Sequence, residues 1–408
     1  MKILLVHKYF YHRDGAANSF FQTIELLKKN GHKVSVFSMR HPRNLASEYD
    51  EFFVNNVDYN DKGAINSIRY AIKLLYSLHA RVKIEELIKQ EKPDIAHINN
   101  IYHQISPSII HSLKKYRIPM VMTLRDYKLV CASYSMFDGH GPCDACKNKK
   151  FFHSTLKKCV KGSRAKSILN SLEMYFHHSL LHIYNTIDLF ISPSRFLKAK
   201  TEEMGFTGRI EYLPNFVQLD EYQPRYDWQE LAIVYFGRLS REKGLMTLLR
   251  AMQGLPEIKL KIIGEGPLRG ALEQETENLG LRNIEFLGYK SGEELKGEIS
   301  RSMCVVLPSE WYENNPRTII EGFALGKPAV AARIGGIPEL VRDNETGLTF
   351  EPGNVEDLKQ KIEMLAADAD KIKEMGKNGR QLVEQELNEK KHYQRLMEIY
   401  EKALTDHR

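Results

Sequence analysis

The sequence predicts an α/β protein made of two doubly wound domains that face each other across a cleft. Short apolar runs such as residues 2–7 and 231–236 alternate with amphipathic stretches along most of the 408 residues. This alternation is typical of parallel sheets covered by helices on both faces. It stops once, at residues 214–224, where Pro and Asn occur without a clear period. We interpret that segment as a linker, and the chain is long enough for two or three domains.

Composition excludes several other classes of protein. Hydrophobic residues make up 42% and charged residues 27% of the chain, as in ordinary globular proteins. No run of 18 apolar residues predicts a membrane span, and the N-terminus resembles a first strand more than a signal peptide. We therefore expect a cytoplasmic protein. The net charge of +7 is compatible with anionic small molecules, membrane surfaces or nucleic acid, and selects none of them.

The first domain is predicted over residues 1–213 and begins with a strand, a polar loop and a helix from Ala17 to Lys29. Gly15 lies just before this helix, where backbone can approach a ligand closely. The loop is not a complete G-x-G-x-x-G fingerprint, so it gives little support for a dinucleotide cofactor. Further strands are predicted at residues 33–38, 94–98, 119–124, 187–192 and 209–213, and further helices at 64–91, 107–116, 167–184 and 194–204.

The second domain is predicted over residues 225–387, with the same alternation. Strands are expected at residues 231–236, 258–263, 283–287, 303–307 and 328–332. Helices are expected to begin near residue 245, to span residues 267–279, to end near residue 326, and to follow one another from residue 354. Residues 388–408 are amphipathic and strongly charged. We expect them to form a last helix that packs back on the first domain.

Two glutamates, Glu313 and Glu321, lie eight residues apart within residues 308–328. Between them, Asn314, Asn315 and Pro316 predict a helix start, because Asn is a good N-cap and Pro suits the first helical position. A helix start can hold an anion. The segment therefore predicts either a sugar-phosphate site with two carboxylates or an ordinary solvated helix.

Two glycine-containing loops follow strands of the second domain. The first, residues 237–244, carries Arg238 and Lys243 at the carboxyl end of a strand, where open α/β sheets bind ligands. These cations could clamp a diphosphate, or they could belong to a solvated basic loop. In the second loop, Gly264 and Gly266 allow close backbone approach to a ligand, or serve packing alone.

Together these segments resemble the family 4 retaining glycosyltransferases of the GT-B fold, in which two Rossmann-like domains face each other. The resemblance covers nearly the whole chain. It is carried by GRLSREKG, IIGEGP, the E-x7-E of Glu313 and Glu321, GKPAVAARIGGIPELV, TGLTF, GHKVSVF, PDIAHINNIYH and LPNFV.

The resemblance implies a nucleotide-sugar site in the second domain. Glu321 would bind the ribose, and Glu313 the hydroxyls of the transferred sugar. Arg238 and Lys243 would neutralise the departing diphosphate without a divalent metal, and the nucleobase would lie near Tyr289. The backbone beside the sugar and diphosphate would come from Asn314, Asn315, Pro316 and Arg317.

The implied reaction is retaining transfer from a UDP- or GDP-sugar to a saccharide or lipid-diphosphate-linked acceptor during synthesis of a surface polysaccharide. Three alternatives stay open on the same fold. They are an epimerase of nucleotide sugars, a glycosyl phosphorylase, and a nucleotide-sugar-binding protein with impaired turnover.

The acceptor side departs from the family pattern. Many relatives carry T-x-H-D where this chain has Thr123-Leu124-Arg125-Asp126. Arg125 stays protonated and cannot act as a base, although it could contact a phosphate or carboxylate. Asp126 is a candidate base or acceptor-orienting carboxylate, or else a turn residue. His97 and His103 are further candidates, each with a structural alternative.

Four of the five cysteines fall within 29 residues: Cys131, Cys143, Cys146 and Cys159. In a cytoplasmic protein this clustering favours a metal or redox role over disulfides. Four thiolates around one zinc ion would form a closed structural site. His140 and His153 are substitute ligands, and four unligated thiols are the alternative.

The cysteines belong to an insertion that we place at residues 131–166. Its surroundings are basic, because residues 145–172 contain eight Lys or Arg and no acidic residue. This charge suits an anionic membrane surface on the inner face of the plasma membrane, where a lipid-linked acceptor could be presented. Nucleic-acid binding is the rival interpretation, but no reader motif accompanies the charge. A solvated basic insertion is the third.

Overall fold

Two six-stranded parallel sheets form the framework of the protein. The computed structural model describes residues 1–55, 74–103 and 105–407. The first sheet has the strand order β2-β1-β3-β4-β5-β6 and the second the order β12-β11-β10-β7-β8-β9. Helices cover both sheets, so the predicted pair of doubly wound domains is confirmed.

The first sheet is built from strands that are almost wholly buried, as expected for apolar runs covered on both faces. The strands are β1 (Lys2–Val6), β2 (Lys33–Phe37), β3 (Ile95–Asn99), β4 (Met120–Thr123), β5 (Leu189–Ser192) and β6 (Ile210–Tyr212). The accompanying helices are α1 (Gly15–Lys29), α2 (Leu78–Glu91), α3 (Ile109–Lys115), α4 (Phe152–Leu156), α5 (Arg164–Tyr175) and α6 (Arg195–Glu203).

The second sheet repeats this plan. Its strands are β7 (Ala232–Phe236), β8 (Lys259–Ile263), β9 (Ile284–Gly288), β10 (Cys304–Leu307), β11 (Ala329–Ala332) and β12 (Gly347–Phe350). Its helices are α7 (Leu245–Met252), α8 (Arg269–Asn278), α9 (Gly292–Arg301), α10 (Arg317–Ala324), α11 (Val355–Ala366) and α12 (Ala369–Glu386), followed by the C-terminal α13 (Glu389–Asp406).

Strand order places the loops that matter for function. In each sheet the chain changes direction around the first strand, which lies between β2 and β3 in one case and between β10 and β8 in the other. Ligands bind parallel sheets at the carboxyl ends of strands beside such a switch point. The loops that follow β1 and β3 therefore meet in one domain, and those that follow β7 and β10 meet in the other.

Most predicted elements occur within a few residues of their expected positions. Two observed elements, α9 and β12, were not predicted. Helix α9 buries only Ile299 completely and contains Gly292 and Gly297, so its helical pattern is weak. Strand β12 has only four residues and begins with glycine. Of the helix predicted over residues 64–91, residues 64–73 lie outside the described ranges. In the described part the helix is interrupted at residues 76–77, and α2 begins only at Leu78, with Ser77 as its N-cap.

The predicted helix at 167–184 is also divided. Helix α5 begins at Arg164, with the Ser163 hydroxyl accepting a hydrogen bond from the Lys166 N–H, and gives way after Tyr175 to a wider turn over Phe176–Leu180. A short helical turn over Ile183–Thr186 then leads to β5. By contrast, the cap predicted at Ser194 is present, because its hydroxyl accepts from the Leu197 N–H at 3.0 Å.

Each sheet has its own hydrophobic core. Helix α13 belongs to the first core, to which it contributes Leu396, Ile399 and Tyr400, although the segment before it crosses from the second domain. The connecting residues are held on the way, since Val217 N–H donates to Leu387 O at 3.0 Å. None of the described helices combines the length and apolar character needed to cross a bilayer.

Candidate active site

The loop after β7 folds directly against the end of β10. Gly244 closes this loop with φ +67°, and a Cβ there would lie 1.8 Å from the Pro308 carbonyl oxygen. Only glycine fits a left-handed position with so close an approach. The contact turns Lys243, at the end of the helical turn Arg241–Lys243, toward the residues that follow β10.

Lys243 forms an ion pair with Glu313. The Lys243 Nζ donates to Glu313 Oε1 at 2.6 Å, and the Ser309 hydroxyl donates to the same oxygen at 2.7 Å. Glu313 is 6% exposed. Burial alone would raise its pKa, but the Lys243 charge and these hydrogen bonds outweigh burial and lower it. The two side chains predicted to serve the sugar and the diphosphate separately are thus one ionised unit.

The loop after β11 supports the backbone of this unit. Gly336 N–H donates to the Glu313 carbonyl oxygen at 2.7 Å. A Cβ on Gly335 would lie 2.2 Å from that oxygen, and one on Gly336 would lie 1.7 Å from the Asn314 oxygen. The glycine pair in the motif IGGIPE therefore fixes the position of Glu313.

Helix α10 starts one residue later than predicted. Pro316 is the N-cap, with ψ 115°, and the helix begins at Arg317. The two asparagines do not cap it. Asn315 accepts from the Asn215 N–H at 2.9 Å, and Asn314 Nδ2 donates to the Arg125 carbonyl oxygen at 3.1 Å. The expected caps instead join the two domains.

Glu321 is held by Arg317, one helical turn before it. Arg317 Nη2 donates to Glu321 Oε1 at 3.0 Å, while its Nη1 donates across the cleft to Gln22 Oε1 at 2.7 Å. Gly15 lies on the same side of the cleft as Gln22, and a Cβ there would lie 3.6 Å from Arg317 Cδ. The structure therefore brings the predicted Gly15 loop and the α10 start together.

The remaining donor-side candidates lie around the loop after β7. Arg238 is exposed and forms no ion pair within the described residues. Gly264 and Gly266 pack on that loop, since Cβ atoms there would lie 1.9 Å from the Gly237 oxygen and 2.2 Å from the Leu239 oxygen. Loop packing is thus sufficient reason for both glycines. Tyr289, at the end of β9, is 71% exposed.

Arg125 faces the linker rather than an open acceptor site. Its Nη1 donates to Asn215 Oδ1 at 2.9 Å and its Nε to Asn99 Oδ1 at 3.3 Å. Burial lowers its pKa to about 10, and the nearby Arg317 charge adds to this effect. Because Asn215 also binds Asn315, the loop after β4, the linker and the start of α10 are joined in series.

Asp126 forms a turn at the cleft. Its Oδ1 accepts from the Lys128 N–H at 2.9 Å, which realises the turn role considered from the sequence. Burial raises its pKa, against the lowering effects of that hydrogen bond and of the cations Lys8 and Lys128. A half-buried carboxylate with a raised pKa retains some capacity to accept a proton.

A buried ionic cluster lies behind Asp126 and was not anticipated. Lys128 Nζ and Glu173 Oε2 are 2.6 Å apart, with side chains 1% and 0% exposed. His103 Nε2 lies 3.2 Å from the same oxygen, so this acceptor-side candidate binds Glu173. The charge of Lys8, two residues after the end of β1, also lowers the pKa of Asp126. The sequence could have indicated Lys8 as a residue of the cleft, because it follows the first predicted strand and ligands bind at the carboxyl ends of parallel strands.

His97 lies in the core of the first domain. Its Nδ1 is 2.7 Å from the Tyr400 hydroxyl of α13 and its Nε2 is 2.6 Å from the Thr123 hydroxyl. Burial lowers its pKa to about 3, so the ring is neutral. Both nitrogens are used inside the protein, and the structural alternative describes this histidine.

The four clustered cysteines line one small cavity together with His153. Burial raises the pKa of Cys146 to about 12 and that of Cys159 to about 11, and the neighbouring sulfurs raise both further. Cys143 accepts a hydrogen bond from Lys157 Nζ at 3.3 Å. Within the described ranges, no three His, Cys, Asp or Glu side chains form a ready metal-binding group. Zinc binding stays a prediction.

Comparison with known proteins covers both halves of the chain. The model of "Glycosyltransferase Family 4" matches residues 13–221, and that of "Glycosyl transferases group 1" matches residues 221–382. A 42.6 kDa protein in the cps region of Klebsiella pneumoniae is 26% identical over 84% of this chain and 88% of its own length. The lipopolysaccharide core biosynthesis glycosyltransferase LpsD of Rhizobium meliloti is 26% identical over 55% of this chain and 67% of its own length.

Solved structures match over the full length. Sucrose-phosphate synthase from Thermosynechococcus elongatus superposes with a TM-score of 0.75 at 19% identity, covering 99% of both chains. HepE from Anabaena, in complex with UDP-glucose, gives 0.69 at 17% identity and covers 98% of this chain and 99% of its own. At these identities the likeness establishes the fold, which is GT-B.

Proposed function

The chain belongs to glycosyltransferase family 4, and from this premise we propose that it is a retaining glycosyltransferase that uses a nucleotide-diphosphate sugar. The observation that carries the proposal is the Lys243–Glu313 pair, 2.6 Å long, at the switch point of the second sheet. Arg238 lies exposed in the same loop as Lys243. A carboxylate, two cations and a helix start together suit a sugar diphosphate.

Donor binding would divide the ion pair between two parts of the ligand. The sugar hydroxyls would replace Lys243 as donors to Glu313, while Lys243 turns to the diphosphate. Glu321 would accept from the ribose hydroxyls, with Arg317 holding its carboxylate in place. Each charge in the site thus acquires a partner, which favours binding of the intact donor over either half.

The reaction would break the bond between the anomeric carbon and the diphosphate oxygen while the acceptor oxygen attacks the same face. Negative charge then grows on the leaving diphosphate, and Arg238 and Lys243 would stabilise it without a divalent metal. The acceptor proton would pass to the departing phosphate oxygen. Asp126 would orient the acceptor hydroxyl.

Donor and acceptor are proposed by class. HepE, a neighbour in fold, was solved with UDP-glucose, which supports a UDP- or GDP-linked donor. LpsD acts in lipopolysaccharide core biosynthesis. This supports a saccharide or lipid-diphosphate-linked acceptor in the synthesis of a surface polysaccharide, with the enzyme in the cytoplasm.

A nucleotide-sugar-binding protein without turnover is the second candidate. The observation that favours it is Arg125, which occupies the place of the usual histidine and is committed to Asn99 and Asn215. Donor hydrolysis separates the two candidates. A protein that binds a nucleotide sugar but neither hydrolyses nor transfers it, with any saccharide acceptor, is the binding protein.

We also propose a structural zinc ion in the insertion, held by Cys131, Cys143, Cys146 and Cys159. The shared cavity supports this proposal, and rotation of the side chains would have to complete the ligand set. Zinc would hold the thiolates and so fix the loops that carry them.

Two substitutions test the assignment of the glutamates. Glu313→Ala should abolish transfer and largely preserve nucleotide binding, whereas Glu321→Ala should weaken nucleotide binding itself. Thermal-shift screening against a panel of UDP- and GDP-sugars measures binding, because a ligand at 100 times its Kd adds about 2.7 kcal/mol of stability. Turnover of Glu313→Ala near that of the wild type would refute the assignment.

A further inference from the structure

Helices α4 and α5 form an antiparallel hairpin on the surface of the first domain. The Thr155 hydroxyl lies 3.2 Å from the Ser171 hydroxyl, and Val160 N–H donates to the Ser167 hydroxyl at 3.1 Å. Phe152 N–H lies 3.4 Å from the Tyr175 hydroxyl at the other end. The two helices therefore run antiparallel. Phe152 lies beside the end of α5, and Thr155, the neighbour of Leu156, lies beside Ser171. We call residues 152–175 the hairpin.

The outer face of the hairpin is apolar. Phe152 and Leu156, four residues apart on α4, are 47% and 65% exposed. Ile168 and Leu172, four residues apart on α5, are 46% and 56% exposed. Residues four apart lie on the same side of a helix. Two short apolar stripes therefore stand next to each other in solvent, whereas scattered single exposed side chains would need no explanation.

Positive charge surrounds these stripes. All eight Lys and Arg residues within 145–172 are exposed, and no acidic residue occurs there. Lys147 pairs with Glu203 and Lys157 with Asp138. In the part of the chain that the structure describes, the other six form no ion pair: Lys149, Lys150, Lys158, Lys161, Arg164 and Lys166. An anionic partner would supply the missing counter-charges.

We infer that the hairpin docks on the surface of an anionic bilayer, with its four apolar side chains in the headgroup–acyl boundary and the basic residues on lipid phosphates. Apolar side chains inside a basic rim are the pattern of a helix that lies in the membrane interface. A nucleic acid would use the positive charge but offer no environment for aliphatic leucine and isoleucine side chains. The combination therefore selects a membrane.

The buried face of the hairpin is connected to the acceptor side of the cleft. Helix α5 carries Glu173, whose partner Lys128 lies two residues after Asp126. A docked hairpin would thus hold Asp126 at a defined position relative to the membrane. This connection rests on the proposed function, in which the acceptor is linked to lipid, whereas the docking itself does not.

Flotation with vesicles tests the docking. The probes are vesicles of phosphatidylcholine alone and of phosphatidylcholine with phosphatidylglycerol. We expect the full-length wild type to float with the anionic vesicles only. The double variants Leu156→Ser/Leu172→Ser and Lys158→Glu/Lys161→Glu should both lose flotation. For the second variant, the affinity for anionic vesicles should fall by at least about fivefold for each positive charge removed.

Matched controls separate docking from folding and from catalysis. Met364 is 49% exposed and Lys373 is exposed, both on the second domain, so Met364→Ser/Lys373→Glu should float like the wild type. The unfolding temperature and nucleotide-sugar binding of all variants should match the wild type, because the hairpin lies outside the donor site. A wild type that floats with anionic vesicles but binds no nucleotide sugar would count against the proposed function and not against the docking.

Three results would overturn the docking inference. They are a wild type that floats with neither vesicle, hairpin variants that float as well as the control, and a wild type that is retained by nucleic acid while it ignores anionic vesicles. Variants that unfold would be replaced by the milder Leu156→Gln/Leu172→Gln, for which the same expectation holds.

Discussion

Replacement of Lys243 by methionine provides a direct test of the charge arrangement in the site. The substitution keeps most of the side-chain volume and replaces the ammonium-bearing end of the side chain by an uncharged thioether. Glu313 then retains its hydrogen bond from Ser309 but loses the cation 2.6 Å away. A carboxylate with a side chain 8% exposed is left without a counter-charge.

The size of the effect follows from distance and burial. Two unit charges 2.6 Å apart attract by about 6 kcal/mol at an effective dielectric constant of about 20. Desolvation and the 19% exposure of the Lys243 side chain reduce the net loss toward the lower end of values for broken buried pairs, about 3 kcal/mol. For a domain of this size we expect an unfolding temperature lower by about 6–12 °C.

The loss should depend on pH. In the wild type the pKa of Glu313 is lowered, so its stabilising contribution is present above the unfolded pKa and is lost as pH falls through the folded pKa. In Lys243→Met, burial prevails and the pKa rises above the unfolded value. Its destabilising contribution is then absent at low pH and grows as pH rises through the folded pKa. The difference in unfolding temperature between the wild type and Lys243→Met should therefore be largest near neutral pH and smaller near about pH 5.

Thermal unfolding of both proteins at several pH values measures this gap, with Lys402→Met as the control. Lys402 pairs with Glu211, but their side chains are 52% and 32% exposed, so its loss should cost little at any pH. Transfer by Lys243→Met should fall by about 100- to 1000-fold, as for removal of one group that stabilises developing charge. A gap that is constant with pH, or larger at acid pH, would refute the buried-pair reasoning.

Three further predictions concern other parts of the molecule. Arg125→Ala should slow transfer by about tenfold, because it releases Asn215 from the loop after β4, while donor affinity measured by titration stays unchanged; an equal loss of both would place Arg125 in the donor site. Lys128→Met should destabilise the protein by about 3–5 kcal/mol in urea unfolding, and adding Glu173→Gln should restore part of it; no recovery would contradict the buried pair. Metal analysis of purified protein should find one zinc ion per chain, and four titratable thiols in metal-free native protein would exclude the zinc proposal.

These predictions share one structural basis. Helix α10, the linker and the loop after β4 are joined through Asn315, Asn215 and Arg125, and Arg317 reaches α1 from the same helix. Glu339 of the second domain also accepts from the Arg195 and Phe196 N–H groups at the start of α6. The two domains are therefore bound to each other beside the site, and substitutions at these contacts affect both halves of the reaction.

The sequence by itself determined the architecture and the residues around which the donor site is built. Buried parallel strands read as continuous apolar runs, and each of the two sheets could be recognised from them. The position of Glu313 before a helix start and of Glu321 inside that helix followed from local chemistry. Helix α9 and strand β12 were not predicted, because their local sequence patterns are weak.

Only the tertiary structure decided which side chains meet. Lys243 and Glu313 are 70 residues apart in sequence. The asparagines expected to cap α10 instead bind Asn215 of the linker and Arg125 of the first domain. Ile168 and Leu172 have the spacing of a buried helical face, yet they are exposed. Such outcomes depend on how two sheets and their loops are placed in space. Local periodicity records which face of an element is apolar, but it does not record what lies opposite that face.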